Sequence, residues 1–295
     1  MKKIAHYKNG NYFVDLYEDG TKVRYNDLDN LTPEFVESMD CKITNKCPMG
    51  CPMCHEKSTP DGKHGDIMNA EFIDKLRPGT EMAIGGGAVT SHPDLIPFLK
   101  KLKEIGVLPS ITVQQKEYKN NYDLINMLVE EKLIYGLGVS FSSFDDEFWD
   151  EVITTNSNLV VHLIAGIHGG DVFEYFKNKN AKILVLGFKD FGRGHDLLEK
   201  AEGVINIQLN WLKNNLKSLM DKYSVISFDN LAIEQLEVQK ILTAEQWNEF
   251  YQGDDGTHTI YVDLVKQEFA KTSTSTERYP LLSNIDDMFK IIKRR

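Results

Sequence analysis

Apolar and polar positions along the chain change repeatedly between the period of a helix and that of a strand. Five segments carry apolar residues three or four positions apart, the spacing of one helix face; they are residues 70–79, 92–106, 121–133, 145–155 and 170–180. Short, mostly apolar runs alternate with these segments and predict strands; they are residues 41–44, 81–87, 110–115, 135–143, 159–167 and 181–188. Strands that alternate with helices in this way predict an α/β fold.

The two ends of the chain depart from this alternation. Residues 11–26 alternate apolar and polar positions around the turn sequence Glu-Asp-Gly-Thr, which predicts a β-hairpin. Residues 204–230 predict a strand, a helix and a second strand. The Gly-Asp-Asp-Gly-Thr turn at 253–257 predicts another hairpin, which ends in a strand at 259–265.

We therefore expect the chain to have three parts. Residues 1–40 form an N-terminal β-hairpin appendage, and residues 41–200 form the α/β core. Residues 201–295 form a small α+β extension with a hairpin. Its polar run at 271–280 has a composition typical of mobile segments, so this tail is predicted to be mobile.

Composition and charge narrow the classes of function. The chain has 34 basic and 44 acidic residues, a net charge of −10, whereas nucleic-acid binders depend on a basic surface for most of their affinity. The sequence contains neither a run of roughly 18 apolar residues, as a membrane span needs, nor a secretion signal. We therefore expect a cytoplasmic protein without a membrane partner and without a large nucleic-acid substrate.

All four cysteines lie between positions 41 and 54. A reducing cytoplasm disfavours disulfides, which leaves metal binding as the main chemistry for this group. Cys47, Cys51 and Cys54 have the spacing C-x3-C-x2-C, and three thiolates can hold a [4Fe–4S] cluster with one iron left open. Cys41 begins a predicted strand, where a buried, small apolar residue is the favoured interpretation.

A zinc site is the alternative interpretation of the same cysteines. Zinc takes four protein ligands in a structural site, so it would need Cys41 or His55 beside the three spaced cysteines. The protein would then be a zinc-binding interaction protein without catalysis. A short cysteine-rich knuckle explains neither the repeated strands and helices nor the glycine run at 85–87.

The cysteine spacing, placed directly after the first predicted strand of the core, resembles that of the radical SAM superfamily. This resemblance implies a partial (β/α)6 TIM barrel and an enzyme in which Cys47, Cys51 and Cys54 ligate the [4Fe–4S] cluster. S-adenosylmethionine (SAM) would bind the open iron through its amino and carboxylate groups. Reductive cleavage of SAM would give a 5′-deoxyadenosyl radical that abstracts hydrogen from the substrate. The resemblance also implies an external electron donor of the flavodoxin or ferredoxin type.

The glycine run carries the second point of resemblance. Gly85, Gly86 and Gly87 end the second predicted strand, where the family lets backbone approach the methionyl end of SAM. A tight turn that needs glycine is the alternative. The Glu-Pro pair usual in the family is replaced by Ala88 and Val89, so a fold that keeps the cluster but has lost SAM cleavage also stays open.

Further contacts to SAM are implied at the ends of later strands and near the cluster. Met53 could cover the adenine, and Ser140 and Ser142 face the same side of their strand because they lie two residues apart. The other candidates are Gln114, His162 and Arg193, the last as a clamp on an anion or on backbone. The alternative for these residues is a structural role without a ligand: the serines as strand ends, the histidine as a core residue and the arginine as a surface residue.

The substrate is predicted only by class. A barrel followed by a hairpin region most resembles the family members that modify peptides or build small natural products. No cysteine follows Cys54, so the C-terminal region has no ligands for an auxiliary cluster. The sequence therefore predicts a peptide or small-molecule substrate, and it assigns no residue to acid–base or radical-quenching chemistry.

Overall fold

Two β-sheets organise residues 1–28 and 30–294, the part of the chain that the computed structural model describes. The smaller sheet is antiparallel and has the order β1-β2-β3; its strands are β1 (Lys3–Asn9), β2 (Tyr12–Tyr17) and β3 (Lys22–Tyr25). The predicted N-terminal hairpin is the β2–β3 pair, and β1 adds a third strand to it.

The larger sheet contains the barrel. Its strands are β4 (Ser38–Thr44), β5 (Glu81–Gly86), β6 (Leu108–Gln114), β7 (Gly136–Ser140), β8 (Leu159–Ile164), β9 (Lys182–Leu186), β10 (Val225–Phe228), β11 (Thr259–Asp263), β12 (Glu268–Ala270) and β13 (Tyr279–Pro280). Their order is β10-β9-β8-β7-β6-β5-β4-β11-β12-β13, and every pair from β10 to β11 is parallel. The six predicted core strands are β4 to β9. The predicted α/β class with a partial TIM barrel is confirmed, and β10 and β11 extend its parallel sheet on both sides.

Helices lie between most of the parallel strands, and one more helix follows the last strand. They are α1 (Leu95–Ile105), α2 (Gln115–Asn120), α3 (Tyr122–Glu130), α4 (Asp146–Thr155), α5 (Gly170–Phe176), α6 (Arg193–Leu219), α7 (Asn230–Gln235), α8 (Ala244–Phe250) and α9 (Ile285–Lys293). Among the described residues, none of the helices combines the length and the apolar character that a membrane crossing requires.

The helix predicted at 70–79 is only a 3-10 turn, Glu71–Lys75. Arg77 precedes Pro78, and the proline ring disfavours the helical conformation for the residue before it. By contrast, the predicted helix at 92–106 forms α1 over Leu95–Ile105. It buries Leu95, Phe98, Leu99 and Leu102 and ends at Gly106, whose φ of 88° is the left-handed conformation that glycine adopts freely.

The first strand predicted within 204–230 is wrong, because that segment belongs to α6. Apolar residues spaced seven, four and three positions apart bury one face of this helix: Ile205, Leu212, Leu216 and Leu219. The β-branched Val204 and Ile207, which suggested a strand, lie on its exposed side. The strand predicted at the end of the segment is confirmed as β10.

The C-terminal hairpin lies one element later than predicted. The turn at 253–257 follows α8 rather than a strand, and the antiparallel pair is β11 with β12. β11 also pairs in parallel with β4, with Val262 opposite Cys41. The extension predicted at 201–295 therefore contributes the strands β10 to β13 to the larger sheet, and α6 crosses its predicted start at residue 201. The three-part division stays a prediction.

A buried polar network joins the N-terminal sheet to the strand that opens the barrel. Glu37 is fully buried, accepts a hydrogen bond from Tyr12 and pairs with Arg24 Nε at 2.9 Å. His258 Nδ1 lies 3.0 Å from the Tyr12 hydroxyl. Burial alone would raise the pKa of Glu37, but the hydrogen bond with His258 and the charges of Arg24 and Lys22 outweigh it and lower the pKa to about 2.

This network predicts an acid-sensitive contribution to stability. The folded pKa of Glu37 lies below its ordinary value of 4.5, so its contribution is complete above pH 4.5 and is lost as the pH falls towards 2. The loss should be about 3 kcal/mol of unfolding free energy. Urea unfolding at a series of pH values should show a shallower acid slope in Glu37→Gln than in the wild type. Glu71→Gln, at an exposed position, should keep the wild-type slope. Equal slopes in the wild type and Glu37→Gln would contradict the assignment.

Candidate functional site

A cavity of about 650 Å³ lies at the carboxyl ends of the parallel strands. Its lining includes the three spaced cysteines Cys47, Cys51 and Cys54. It also includes most of the predicted SAM contacts: Met53, Gly86 and Gly87 near the cysteines, and Gln114, Ser140, Ser142, His162 and Arg193 from later strands and loops. Gly85 is not part of the lining. A larger cavity, about 810 Å³, opens at the amino ends of the strands and contains none of the cysteines.

The loop after β4 presents the cysteines to this cavity. Cys47 N donates to Thr59 O at 2.8 Å, which closes the base of the loop, and all three cysteines are half-buried. Burial raises the pKa of Cys47 and of Cys51. Among the described residues, no group of three or more His, Cys, Asp or Glu side chains is arranged to hold a single metal ion. The ligand set of Cys47, Cys51 and Cys54 therefore stays a prediction.

The fourth cysteine lies away from the cavity. Cys41 is in the middle of β4, is 1% exposed and belongs to the main hydrophobic core. It pairs with Ile84 on one side and Val262 on the other. The structure thus places it as the small buried residue that its position in a predicted strand indicated.

The glycine run packs against the chain that enters the cysteine loop. Gly86 has a φ of +112°, and a Cβ there would lie 2.4 Å from Thr44 O. Gly87 N donates to the same oxygen at 2.7 Å, and a Cβ on Gly87 would lie 2.3 Å from Lys46 O. Such contacts require glycine, because any side chain would push the two backbones apart. Backbone packing beside Cys47 therefore explains Gly86 and Gly87, whereas a Cβ on Gly85 would meet no atom within 4 Å. Contact of the glycine run to SAM stays a prediction.

Arg193 clamps the cysteine loop through backbone carbonyls. Its Nε donates to Cys51 O at 2.9 Å and its Nη1 donates to Ser58 O at 2.9 Å. Its backbone N donates to Cys54 O at 3.0 Å. The preceding Gly192 has a φ of +60°, and a Cβ there would lie 2.3 Å from His55 O. The segment after β9 thus holds the cysteine loop through its backbone carbonyls, while a contact of Arg193 with a cofactor stays a prediction.

The Arg193 clamp predicts a specific defect in Arg193→Lys. A lysine keeps the charge but cannot donate from two fixed positions to two carbonyls, so the loop should be held less firmly. After anaerobic reconstitution, the variant should lose iron to a chelator several-fold faster than the wild type. Lys200→Ala, on the exposed surface of the same helix, should lose iron at the wild-type rate. Equal rates in Arg193→Lys and the wild type would show that the clamp does not hold the site.

A buried ion cluster supports the loop from the other side. Lys42, at the end of β4 and 3% exposed, forms ion pairs with Glu56 and with Asp263, the latter at 3.0 Å. The Tyr261 hydroxyl donates to Glu56 Oε1 at 3.1 Å, and His55 Nε2 lies 3.4 Å from the same oxygen. Because Glu56 follows Cys54 by two positions, this cluster ties the last cysteine to β11. No local pattern in the sequence indicates this cluster.

Polar side chains from β6, β7 and α2 form one wall of the cavity. Gln115 Oε1 accepts hydrogen bonds from Ser142 N and Ser142 Oγ, both at 3.1 Å, and from Ser143 N at 2.9 Å. Gln114 Oε1 accepts from Lys116 N at 2.6 Å and so caps α2. Ser142 and Gln114 therefore line the cavity while also holding local structure.

His162, on β8, lines the cavity. Its Nδ1 is buried and has no hydrogen-bond partner among the described residues. Burial lowers the pKa of His162 to about 4, so the imidazole is neutral at physiological pH. The ring occupies space that Gly138 leaves open, since a Cβ on Gly138 would lie 2.4 Å from His162 Cε1. A buried polar atom without a partner is costly, which makes Nδ1 a candidate for contact with a bound molecule.

Comparisons with known proteins find structures of a similar fold but no matching family or sequence. No protein-family model matches the chain, and no curated protein sequence matches it significantly. The structure is similar to three crystal structures of SuiB from Streptococcus suis. SuiB bound to the precursor peptide SuiA has a TM-score of 0.58 and 11% identity, and the match covers 88% of this chain and 65% of that chain.

The two other SuiB structures give similar values. SuiB bound to S-adenosylmethionine has a TM-score of 0.52 and 10% identity, with 84% of this chain and 62% of that chain covered. A further SuiB structure has a TM-score of 0.55 and 10% identity, with 88% and 66% covered. The chain therefore spans less than two thirds of the SuiB chains, and at these identities the likeness shows the shared fold.

Proposed function

We propose that the protein is a radical SAM enzyme that modifies a peptide or small-molecule substrate. One observation carries this proposal: Cys47, Cys51 and Cys54 line the same cavity as a glycine turn and a neutral histidine. That cavity lies at the carboxyl ends of parallel strands, the end of a barrel where active sites are built.

The residues present are suited to an iron–sulfur cluster and a nucleotide. Cysteine sulfurs are the soft ligands that iron–sulfur clusters use, and three of them leave one iron open. A cavity of about 650 Å³ falls in the range of small-molecule sites. His162 lines this cavity, and its buried Nδ1 has no hydrogen-bond partner among the described residues.

When bound, the reduced cluster would supply the electron that cleaves SAM into methionine and a 5′-deoxyadenosyl radical. The protein would hold the cysteine loop in place and orient the nucleotide. Arg193 and the Lys42 ion cluster fix the cysteine loop from two sides. In this proposal Gly86 and Gly87 keep backbone close to the methionyl end, and Met53 covers the adenine. The neutral His162, with Gln114, Ser140 and Ser142, meets the polar atoms of the nucleotide.

The structural neighbours support the cofactor and the substrate class. A protein of the same fold binds S-adenosylmethionine, and it also binds a precursor peptide. We therefore favour a peptide substrate over an unrelated small molecule. A cytoplasmic location, a flavodoxin or ferredoxin as electron donor and the three-part division of the chain complete the proposal.

Anaerobic reconstitution with iron and sulfide tests the function. The purified protein should take up about four irons per chain and, with dithionite and SAM, release 5′-deoxyadenosine. SAM that binds without release of 5′-deoxyadenosine would indicate that the cleavage chemistry is lost, as the replacement of Glu-Pro by Ala88 and Val89 leaves open. Protein that binds one zinc and no iron would favour the interaction-protein alternative.

A further inference from the structure

Two carboxylates line the cavity beside the cysteines, and their surroundings differ. Glu56 already has a cation, because Lys42 pairs with it. Glu117, on α2, is 2% exposed and forms no ion pair with any Lys, Arg or His among the described residues. The cavity therefore contains one buried acidic side chain that lacks a positively charged partner.

Glu117 is held in place by neutral groups only. Its Oε1 accepts a hydrogen bond from Thr90 N at 3.1 Å and another from Thr90 Oγ1 at 2.8 Å. Burial raises the pKa of Glu117, and the hydrogen bonds from Thr90 offset that effect only in part. A carboxylate buried in this way is stabilised by any cation that reaches it.

The position of Glu117 also matters. Thr90 lies two residues after Ala88 and directly beyond the glycine turn, so the carboxylate is anchored beside that turn. Glu117 and Cys47 line the same cavity. The unpaired carboxylate is thus anchored beside the glycine turn, in the cavity that the three cysteines also line.

We propose that Glu117 binds the α-ammonium group of SAM in this cavity. The inference rests on the proposed function, because it assumes that SAM is the molecule bound. Ala88, next to the glycine turn, has no carboxylate to offer. Glu117 on α2 would provide the anionic contact instead. Bringing an ammonium group out of water is costly unless an anion meets it, and Glu117 is the carboxylate of the described lining that has no competing cation.

The substitution Glu117→Gln isolates the charge. Glutamine has nearly the same shape, and its side-chain oxygen can still accept from Thr90, so the anchor should remain. Two nucleotides probe the anaerobically reconstituted protein by equilibrium dialysis: SAM, and 5′-methylthioadenosine, which lacks the amino acid part. Glu117→Gln should weaken SAM binding at least about tenfold, the loss expected for a hydrogen bond to a charged group. Binding of 5′-methylthioadenosine should change less than about twofold.

Two further variants complete the design. Glu104→Gln, at an exposed position on α1, should bind both nucleotides as the wild type does. Glu117→Asp keeps the charge on a shorter side chain and should lose less SAM affinity than Glu117→Gln. If Glu117→Gln does not fold, the same comparison is made with Glu117→Asp. A loss of affinity for SAM but not for 5′-methylthioadenosine then supports the contact.

The outcomes separate this inference from the proposed function. Equal SAM affinity in the wild type and Glu117→Gln overturns the inference alone. Equal weakening of SAM and 5′-methylthioadenosine also overturns it, because the residue would then act on the shape of the cavity. A wild-type protein that holds its cluster but binds no SAM overturns the proposed function, and the inference with it.

Discussion

Replacing Cys47, Cys51 and Cys54 together by alanine should abolish iron binding. These are the three thiols that line the cavity, and the remaining Cys41 lies in the core where it cannot replace them. Without thiolate ligands the site offers no soft donors for a cluster. Iron content after anaerobic reconstitution should fall from about four per chain to background, and release of 5′-deoxyadenosine should stop.

Cys41→Ala is the matched control for this experiment. It removes one sulfur from the same segment of the sequence, but from the hydrophobic core instead of the cavity. Its iron content should equal that of the wild type, with a modest loss of stability from the small cavity that it creates. If the triple variant keeps its iron, or if Cys41→Ala loses it, the ligand assignment is wrong.

Among these substitutions, Lys42→Met should lower the unfolding free energy the most. Methionine fills a similar volume, but it leaves the carboxylates of Glu56 and Asp263 without their shared cation. Removing one partner of a buried ion pair typically costs about 3–5 kcal/mol. The unfolding free energy from urea titration should fall by that amount. The variant should also hold iron less well, because Glu56 would no longer tie Cys54 to β11.

Two controls define this second effect. Lys100→Met, at an exposed position on α1, should change the unfolding free energy by less than about 0.5 kcal/mol. A triple variant, Lys42→Met with Glu56→Gln and Asp263→Asn, removes the stranded charges and should recover part of the loss. If Lys42→Met is no more destabilised than Lys100→Met, the ion cluster does not contribute to the unfolding free energy as proposed.

The elements that the sequence predicts well are those set by local patterns. β4 to β9 are short apolar runs bounded by turns, and their order along the chain determines a parallel sheet. The cysteine loop was predictable for the same reason, since its three thiols lie within eight positions of one another. Barrel active sites lie at the carboxyl ends of the strands, and the cavity is found there. Most of the predicted contacts line it.

The contacts that the sequence could not predict join distant segments. Lys42 and Asp263 are separated by most of the barrel, and they meet because β11 pairs with β4, which no local pattern indicates. Arg193 donates to Cys51 O across a separation of 142 positions in the sequence. Glu117 was missed because α2 is a short helix directly after β6, and residues 116–120 fell between the strand predicted at 110–115 and the helix predicted at 121–133.

Mössbauer spectroscopy of the reconstituted protein, with and without SAM, tests the central claim most directly. If three cysteines hold a [4Fe–4S] cluster with one open iron, one iron in four should change its spectrum when SAM binds. The other irons should keep the spectrum of sulfur-ligated sites. A cluster whose irons all stay unchanged on addition of SAM, or protein without any iron–sulfur spectrum, would contradict the account.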